Sequence, residues 1–318
     1  MKPDGTPIVH EPTPISMFRR PRNTYRCFYP LTKGNWSKTP FLNACIPYFY
    51  PVMETRSIDS VHNPLVKKVL LLKEKSRERK KTGLFVVEGL RELELALKGG
   101  YGLQTLLYRQ DLIRPSDIPS LAALTDIDRV QLNAQVYEKL AHRGTTEGII
   151  GIMHGRDHGL DHIHFSRKEP LILVAEAPEK PGNIGALLRT ADAAALDAVL
   201  IADPKSDLYN PNIIRSSVGA VFTTQIGMGT SGEIIRFLKE RDIKIYCASL
   251  EASKSYADCD LGGATALVMG TEATGLTPQW LENSDQNLII PMQGEIDSMN
   301  VSVSAAILIF EARRQRGF

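Results

Sequence analysis

Ser298, Met299 and Asn300 stand just before a run whose apolar residues, Val301, Ala305, Leu308 and Ala312, recur at helical spacing toward Arg316. Asn300 is placed as the N-cap of that helix. A Ser and an Asn at a helix mouth sit among free backbone N–H groups, which favour polar or anionic ligands. Just upstream, a short β run from Asn287 to Ile290 is stopped by Pro291. A capped C-terminal helix with no further role explains these residues equally well, so two more segments decide the matter. Lys180 to Ala191 (KPGNIGALLRTA) follows an apolar strand at Leu171–Ala177 and opens a helix with Ile184, Leu187, Leu188 and Ala191 on one face. Arg189 falls off that face and points to solvent or to a ligand. Ala266 to Leu276 (ALVMGTEATGL) reads as a buried strand entering a turn that holds Gly270, the carboxylate Glu272 and Gly275. Glycines there admit backbone angles and close approaches that side chains block. Three polar loops thus fall at the C-terminal ends of strands, where open α/β sheets bind ligands.

The elements that must position these loops alternate. Short apolar strands near 171–177, 198–202, 220–226, 243–249, 265–270 and 287–290 are separated by helices near 183–195, 212–218, 230–241, 277–283 and 300–316. Uninterrupted apolar strands of this kind belong to a mostly parallel sheet covered on both faces, an α/β fold. In order and spacing, the three loops resemble the SpoU/TrmH family of RNA ribose 2′-O-methyltransferases, over Leu171 to Arg316. The segment Asn210–Ala220 (NPNIIRSSVGA) also resembles that family's link between its first two motifs. Two residues depart from the pattern: Lys180 stands where an acidic residue is usual and Met299 where Leu is usual. Neither removes a group the chemistry needs.

The resemblance implies a Rossmann-like catalytic domain tied in a trefoil knot, with S-adenosylmethionine as cofactor and no metal required. It implies cofactor contacts at Gly270, Ile290 and Met299, largely through backbone groups, and a polar active site of Asn183, Arg189, Glu272, Ser298 and Asn300. It implies a homodimer whose site is completed across the interface, and the apolar set Ala305, Ala306, Leu308, Ile309 and Ala312 is compatible with that. Arg189 is a poor general base, since a guanidinium does not give up its proton near neutral pH. It suits a phosphate clamp that also stabilises developing alkoxide.

The first half of the chain supplies an RNA-binding candidate. A basic run, Lys67, Lys68, Lys73, Lys75, Arg77, Arg79, Lys80 and Lys81, leads into Leu84–Val87, a strand that ends in Glu88-Gly89-Leu90-Arg91, and Asn63-Pro64 opens the helix before it. A solvated helix face explains the run alone. Its context resembles the small ribosomal-protein-like RNA-binding domain often fused ahead of SpoU/TrmH catalytic domains. In that light Asn63, Lys73, Lys75, Lys80, Lys81 and Arg91 are candidate RNA contacts. The expected boundaries are 1–53 for an extension, 54–153 for the RNA-binding domain, 154–168 for a linker and 169–318 for the catalytic domain. The extension holds nine of the nineteen prolines and lacks helical or strand period, so it is read as disordered or non-native, with Met53 or a nearby codon as the natural start. Pro47 and Pro51 interrupt its apolar end, against a signal peptide. The linker carries His154, His158, His162 and His164 with Asp157 and Asp161, but Gly155 and Gly159 oppose the helix that would align them on a metal.

Net charge is +2 and 43% of the 318 residues are hydrophobic, enough for ordinary globular cores. Cys27, Cys45, Cys247 and Cys259 show no metal spacing and fit reduced thiols of a cytoplasmic protein. No stretch is long and apolar enough to span a membrane. A rival class comes from Gly227-Met228-Gly229-Thr230-Ser231-Gly232, a G-x-G-x-x-G match with Glu251 beyond the next strand, as in NAD-dependent enzymes. That reading leaves the three loops without roles. The favoured substrate is large-subunit ribosomal RNA, with transfer RNA as runner-up. A non-catalytic RNA-binding assembly factor of the same fold is the non-enzymatic alternative.

Overall fold

The computed structural model describes residues 56–142, 147–251, 253–295 and 298–317. The expected extension 1–53, with Cys27 and Cys45, lies outside the described residues. The first elements are β1 (Arg56–Ile58), α1 (Pro64–Glu74), α2 (Ser76–Thr82), β2 (Leu84–Glu88), α3 (Leu90–Lys98), β3 (Leu103–Tyr108), α4 (Pro119–Ala122), β4 (Asp128–Leu132), α5 (Ala134–Leu140) and β5 (Ile149–His154). Their strands form a five-stranded sheet in the order β1-β4-β3-β5-β2, parallel except for β5. The chain then runs through β6 (Leu171–Glu176), α6 (Pro181–Ala193), β7 (Ala198–Ala202), α7 (Pro211–Ser216), α8 (Ala220–Thr223), β8 (Ile226–Gly229), α9 (Ser231–Lys239), β9 (Lys244–Ala248), β10 (Lys254–Ser255), β11 (Thr265–Met269), α10 (Pro278–Glu282), β12 (Gln286–Ile289) and α11 (Val301–Arg316). These strands make a seven-stranded, all-parallel sheet, β10-β12-β9-β11-β6-β7-β8. Its central strands are buried along their length, as a sheet covered on both faces requires.

One expectation fails at 220–226. Instead of a strand, Ala220–Thr223 is a helical turn and the strand begins at Ile226. Val218 and Gly219 both take left-handed φ values, 54° and 83°, which turns the chain so that Phe222 enters an aromatic cluster shared by the two sheets. In that cluster the Phe85 ring stacks on Tyr209 at 4.2 Å, and Tyr101 meets Phe222 edge-on at 5.2 Å. Tertiary packing overrides the β propensity of the Ala-Val-Phe run. One hydrophobic core therefore runs through both sheets.

The glycine fingerprint is also not a phosphate loop. Gly227 and Gly229 lie inside β8, where a Cβ on Gly227 would stand 2.8 Å from Leu200 and 3.0 Å from Ile163. The glycines make room for residues 160–163 against the sheet. The N-terminus of α9 is already capped by Thr230 and Glu233 in a reciprocal box.

The histidine-rich stretch is stitched down. His158 is buried, with Nδ1 3.2 Å from the Ile226 carbonyl and Nε2 2.8 Å from the Tyr209 hydroxyl. Burial pushes its pKa below the usual value of 6.5, so the ring is neutral. Nδ1–H then donates to the carbonyl and Nε2 accepts from the tyrosine. His162 sits exposed beside Asp157 instead. A depressed histidine contributes stability that is full above the unfolded pKa and is lost as pH falls through the folded one. The denaturation midpoint is thus expected to drop as pH is lowered from about 7 to about 5, with that part of the drop missing in His158→Asn; equal slopes for both proteins would count against this latch.

Candidate active site

The loops after β6, β11 and β12 lie on one side of the parallel sheet. The first leaves β6 through Ala177, held at φ 42°, and reaches Lys180, the N-cap of α6, with Pro181 preset for the first helical position. Asn183 follows in the first turn. Arg189 lies outside the buried set Ile184, Leu187, Leu188 and Ala191, as its periodicity implies. The second loop is closed by paired backbone hydrogen bonds between Thr271 and Gly275 (3.0 and 3.1 Å), with Gly275 at φ 67°. The third ends at Asn300, which caps α11 through Oδ1, accepting from Ser302 N at 3.0 Å.

That cap orients everything around it. With Oδ1 committed to the helix, Asn300 Nδ2 donates to Asn183 Oδ1 and to Glu272 Oε1, both at 3.2 Å. Asn183 Nδ2 donates to the same carboxylate oxygen, and the Lys180 ammonium pairs with Oε2. Side chains from all three loops, Lys180 and Asn183 from the first, Glu272 from the second and Asn300 from the third, thus meet in a single hydrogen-bonded group, facing the N-termini of α6 and α11. The Lys180 contact, with help from Asn183, holds the Glu272 carboxyl below the usual carboxylate range. Glu176, buried at the end of β6, instead accepts from Thr277 N and Oγ1 at 2.9 and 2.7 Å and fixes the start of α10.

Two clefts flank this group at the sheet's switch point, between β6 and β11. The smaller, about 210 Å³, is lined by Lys180, Asn183, Leu187, Gly270, Glu272 and Val301 among others. The larger, about 550 Å³, runs past Ser249, Leu250, Gly270, Leu288, Ile290, Ser298 and Met299 and is the right size for a nucleoside-sized cofactor. Leu250 and Met299 on its rim are 55% and 36% exposed, apolar surface that an aromatic or aliphatic ligand face would cover.

Asn183, Glu272 and Asn300 are joined, and Gly270, Ile290, Ser298 and Met299 share the larger cleft. Arg189 lines neither cleft; it lies about 9 Å further along α6 than Asn183, exposed and without a hydrogen-bond or ion-pair partner among the described residues. By sequence Lys180 stands out only as a departure, and Ser249 and Leu250 not at all, since nothing local ties them to loops distant in sequence. In the basic run, Lys73 pairs with Glu88 at 2.6 Å and is largely covered, Arg79 is buried against Asp207, and Asn63 caps α1. Lys75, Lys80, Lys81 and Arg91 are exposed.

Both halves of the chain resemble known proteins. A model of the SpoU rRNA Methylase family matches residues 170–310, and one of the MRM3-like substrate binding domain matches 63–151. The chain is 31% identical over 258 residues to 23S rRNA (guanosine(2553)-2'-O)-methyltransferase RlmP of Bacillus subtilis, spanning 81% of this chain and 99% of that protein. A crystal structure of an RNA 2'-O ribose methyltransferase superposes with a TM-score of 0.71 at 36% identity, covering 82% of this chain and 99% of the other. An AdoMet-bound rRNA methyltransferase from Sinorhizobium meliloti gives 0.76 at 27% identity, covering 83% and 99%. With both halves matched in order and one relative matched over nearly its whole length, the chain belongs to the SpoU rRNA methylase family.

Proposed function

We propose that this protein methylates a ribose 2′-hydroxyl of large-subunit ribosomal RNA, using S-adenosylmethionine. The observation that carries the reading is the convergence of Asn183, Glu272 and Asn300, from three separate loops, beside a cleft bounded by Gly270, Ile290 and Met299. When bound there, S-adenosylmethionine supplies an activated methyl sulfonium. Gly270, Ile290 and Met299 would hold it, mostly by backbone groups, with Leu250 covering an apolar face. The two helix N-termini and the fixed amides of Asn183 and Asn300 orient the ribose, the part of the barrier that positioning can lower. Ser298, on the cleft wall, offers a further hydroxyl to the substrate. Arg189 clamps a phosphate and stabilises alkoxide character, and the proton leaves to water or to the RNA phosphate.

The reading includes two features of the family. The trefoil knot is supported by the return path of the chain: after β12, toward the sheet edge, it crosses back so that α11 packs on α6, β6 and β11. A homodimer is supported by Val303, 49% exposed on α11, and by Arg189, which lines neither cleft of its own chain. Among the described residues no helix is long and apolar enough to cross a membrane.

The N-terminal sheet with α1 and α2 is read as the RNA-binding domain, residues 54–153, joined by 154–168 to the catalytic domain 169–318. Its RNA contacts are Lys75, Lys80, Lys81 and Arg91; Lys73 and Asn63 are withdrawn from that set by their internal bonds. Reversing Lys75, Lys80 and Lys81 to Glu is expected to weaken RNA binding and to flatten its salt dependence by about 0.7–0.9 for each phosphate no longer neutralised, with cofactor affinity unchanged. Lys73→Glu is expected to lower thermal stability instead. Anisotropy titrations across salt check the first and melting curves the second. The function itself is tested by 2′-O-methyl mapping of total RNA from a deletion strain against its parent. A mark lost from large-subunit ribosomal RNA supports the proposal. One lost only from transfer RNA moves the substrate, and no lost mark points to a non-catalytic assembly factor.

A further inference from the structure

Lys180 occupies the N-cap of α6 without a side-chain hydrogen bond to that helix, a place where the helix dipole disfavours a cation. Its side chain is 70% exposed, yet the ammonium is directed across the site to Glu272 Oε2 on the loop after β11. Among the described residues lining the two clefts, Glu176, Glu179, Glu251 and Glu272 are carboxylates and Lys180 is the one cation. Glu176 is spent on Thr277, and Glu179 and Glu251 make no ion pair among the described residues.

We propose that Lys180 is a positioning residue for methyl transfer. By holding Oε2 it keeps Glu272 turned so that Oε1 fixes the amides of Asn183 and Asn300. It also cancels the carboxylate's charge where a polyanionic substrate must enter. The order of dependence follows from the bonds: the α11 cap sets Asn300, Asn300 sets the Asn183 carbonyl, and both amide N–H groups then need the same carboxylate oxygen. A carboxylate without its lysine is free to rotate toward water, leaving the amides unfixed. An exposed ion pair contributes little to stability, so an effect confined to melting temperature is not what this role gives. The inference rests on the methyltransferase reading above.

The test compares full-length wild type, Lys180→Met and Lys180→Arg. Lys180→Met is expected to bind S-adenosylmethionine normally by calorimetry and to lose about 10- to 100-fold in single-turnover methyl transfer. The acidic limb of its pH–rate profile should move to higher pH, because the carboxyl loses the cation that favours its charged form. Lys180→Arg is expected to restore most of the rate. In RNA-free protein, the Glu272 carboxyl should titrate at higher pH in Lys180→Met than in wild type, read by NMR. A Lys180→Met enzyme at the wild-type rate, or with an unmoved Glu272 titration, overturns the inference and leaves the methyltransferase reading standing. A folded wild type that neither binds S-adenosylmethionine nor methylates any RNA removes the reading itself, and the inference with it.

Discussion

Replacing Arg189 by alanine is expected to cut methyl transfer by about 10²–10³-fold, the usual loss when one preorganised charge is removed from a transition state, with S-adenosylmethionine affinity unchanged. The side chain is exposed, bonds to nothing among the described residues and lines neither cleft, so its removal leaves the cofactor site and the core intact. An arginine with no internal work, six residues beyond Asn183 on the same helix, has its use in what docks there. Single-turnover rates with calorimetric cofactor titrations check both halves. Near-wild-type rates would mean that the guanidinium touches neither the RNA nor the reacting oxygen. If the site is completed across a dimer, mixing Arg189→Ala chains with Asn183→Ala chains is expected to restore part of the activity; two inactive parents that stay inactive when mixed would place both groups on one chain.

Gly270→Val is expected to abolish cofactor binding by a different route from the one its position in the sequence suggests. A Cβ there would stand 2.2 Å from the Gly275 carbonyl carbon and 2.5 Å from Leu276 N, so it meets the protein's own backbone before any ligand. The loop that carries Glu272 could not keep its two Thr271–Gly275 hydrogen bonds, and both clefts share that wall. Even Gly270→Ala should bind poorly. Gly275 provides the control: nothing lies within 4 Å of its Cβ position, and its φ of 67° is one that Asn tolerates. Gly275→Asn is therefore expected to keep the loop and the fold, and because Gly275 also lines the larger cleft, any loss of affinity there reports the Asn side chain entering it. Calorimetry on both variants, with circular dichroism to confirm folding, decides it; a Gly270→Val protein that binds normally would show that the loop can be rebuilt.

What is legible in the sequence is what local chemistry dictates. The Ala198–Ala202 strand, the apolar face of α6 and the Asn300 cap all follow from periodicity and capping, and the structure has them where expected. The helical turn at Ala220–Thr223 is not legible, because the backbone there is set by Phe222 meeting rings from another sheet. Likewise Gly227 resembles a phosphate-binding glycine because sequence cannot show Ile163 resting on it. The basic run misleads in the same way: Lys73 and Arg79 belong to the same solvated-looking stretch as Lys80, but Glu88 and Asp207 draw them inward. In the site, the residue types are readable and their pairing is not, since Lys180 and Glu272 are 92 positions apart.

The aromatic cluster of Phe85, Tyr101, Tyr209 and Phe222, with the Arg79–Asp207 pair beside it, also governs how the protein comes apart. Halves that share a core unfold cooperatively, so calorimetry should record one heat-absorption peak where independent modules would give two. A chain truncated ahead of Leu171 would leave the Tyr209 and Phe222 rings and the Asp207 carboxylate facing water. Its behaviour would then report aggregation of an exposed seam, and an inactive fragment would say nothing about whether the transferase chemistry needs the first half.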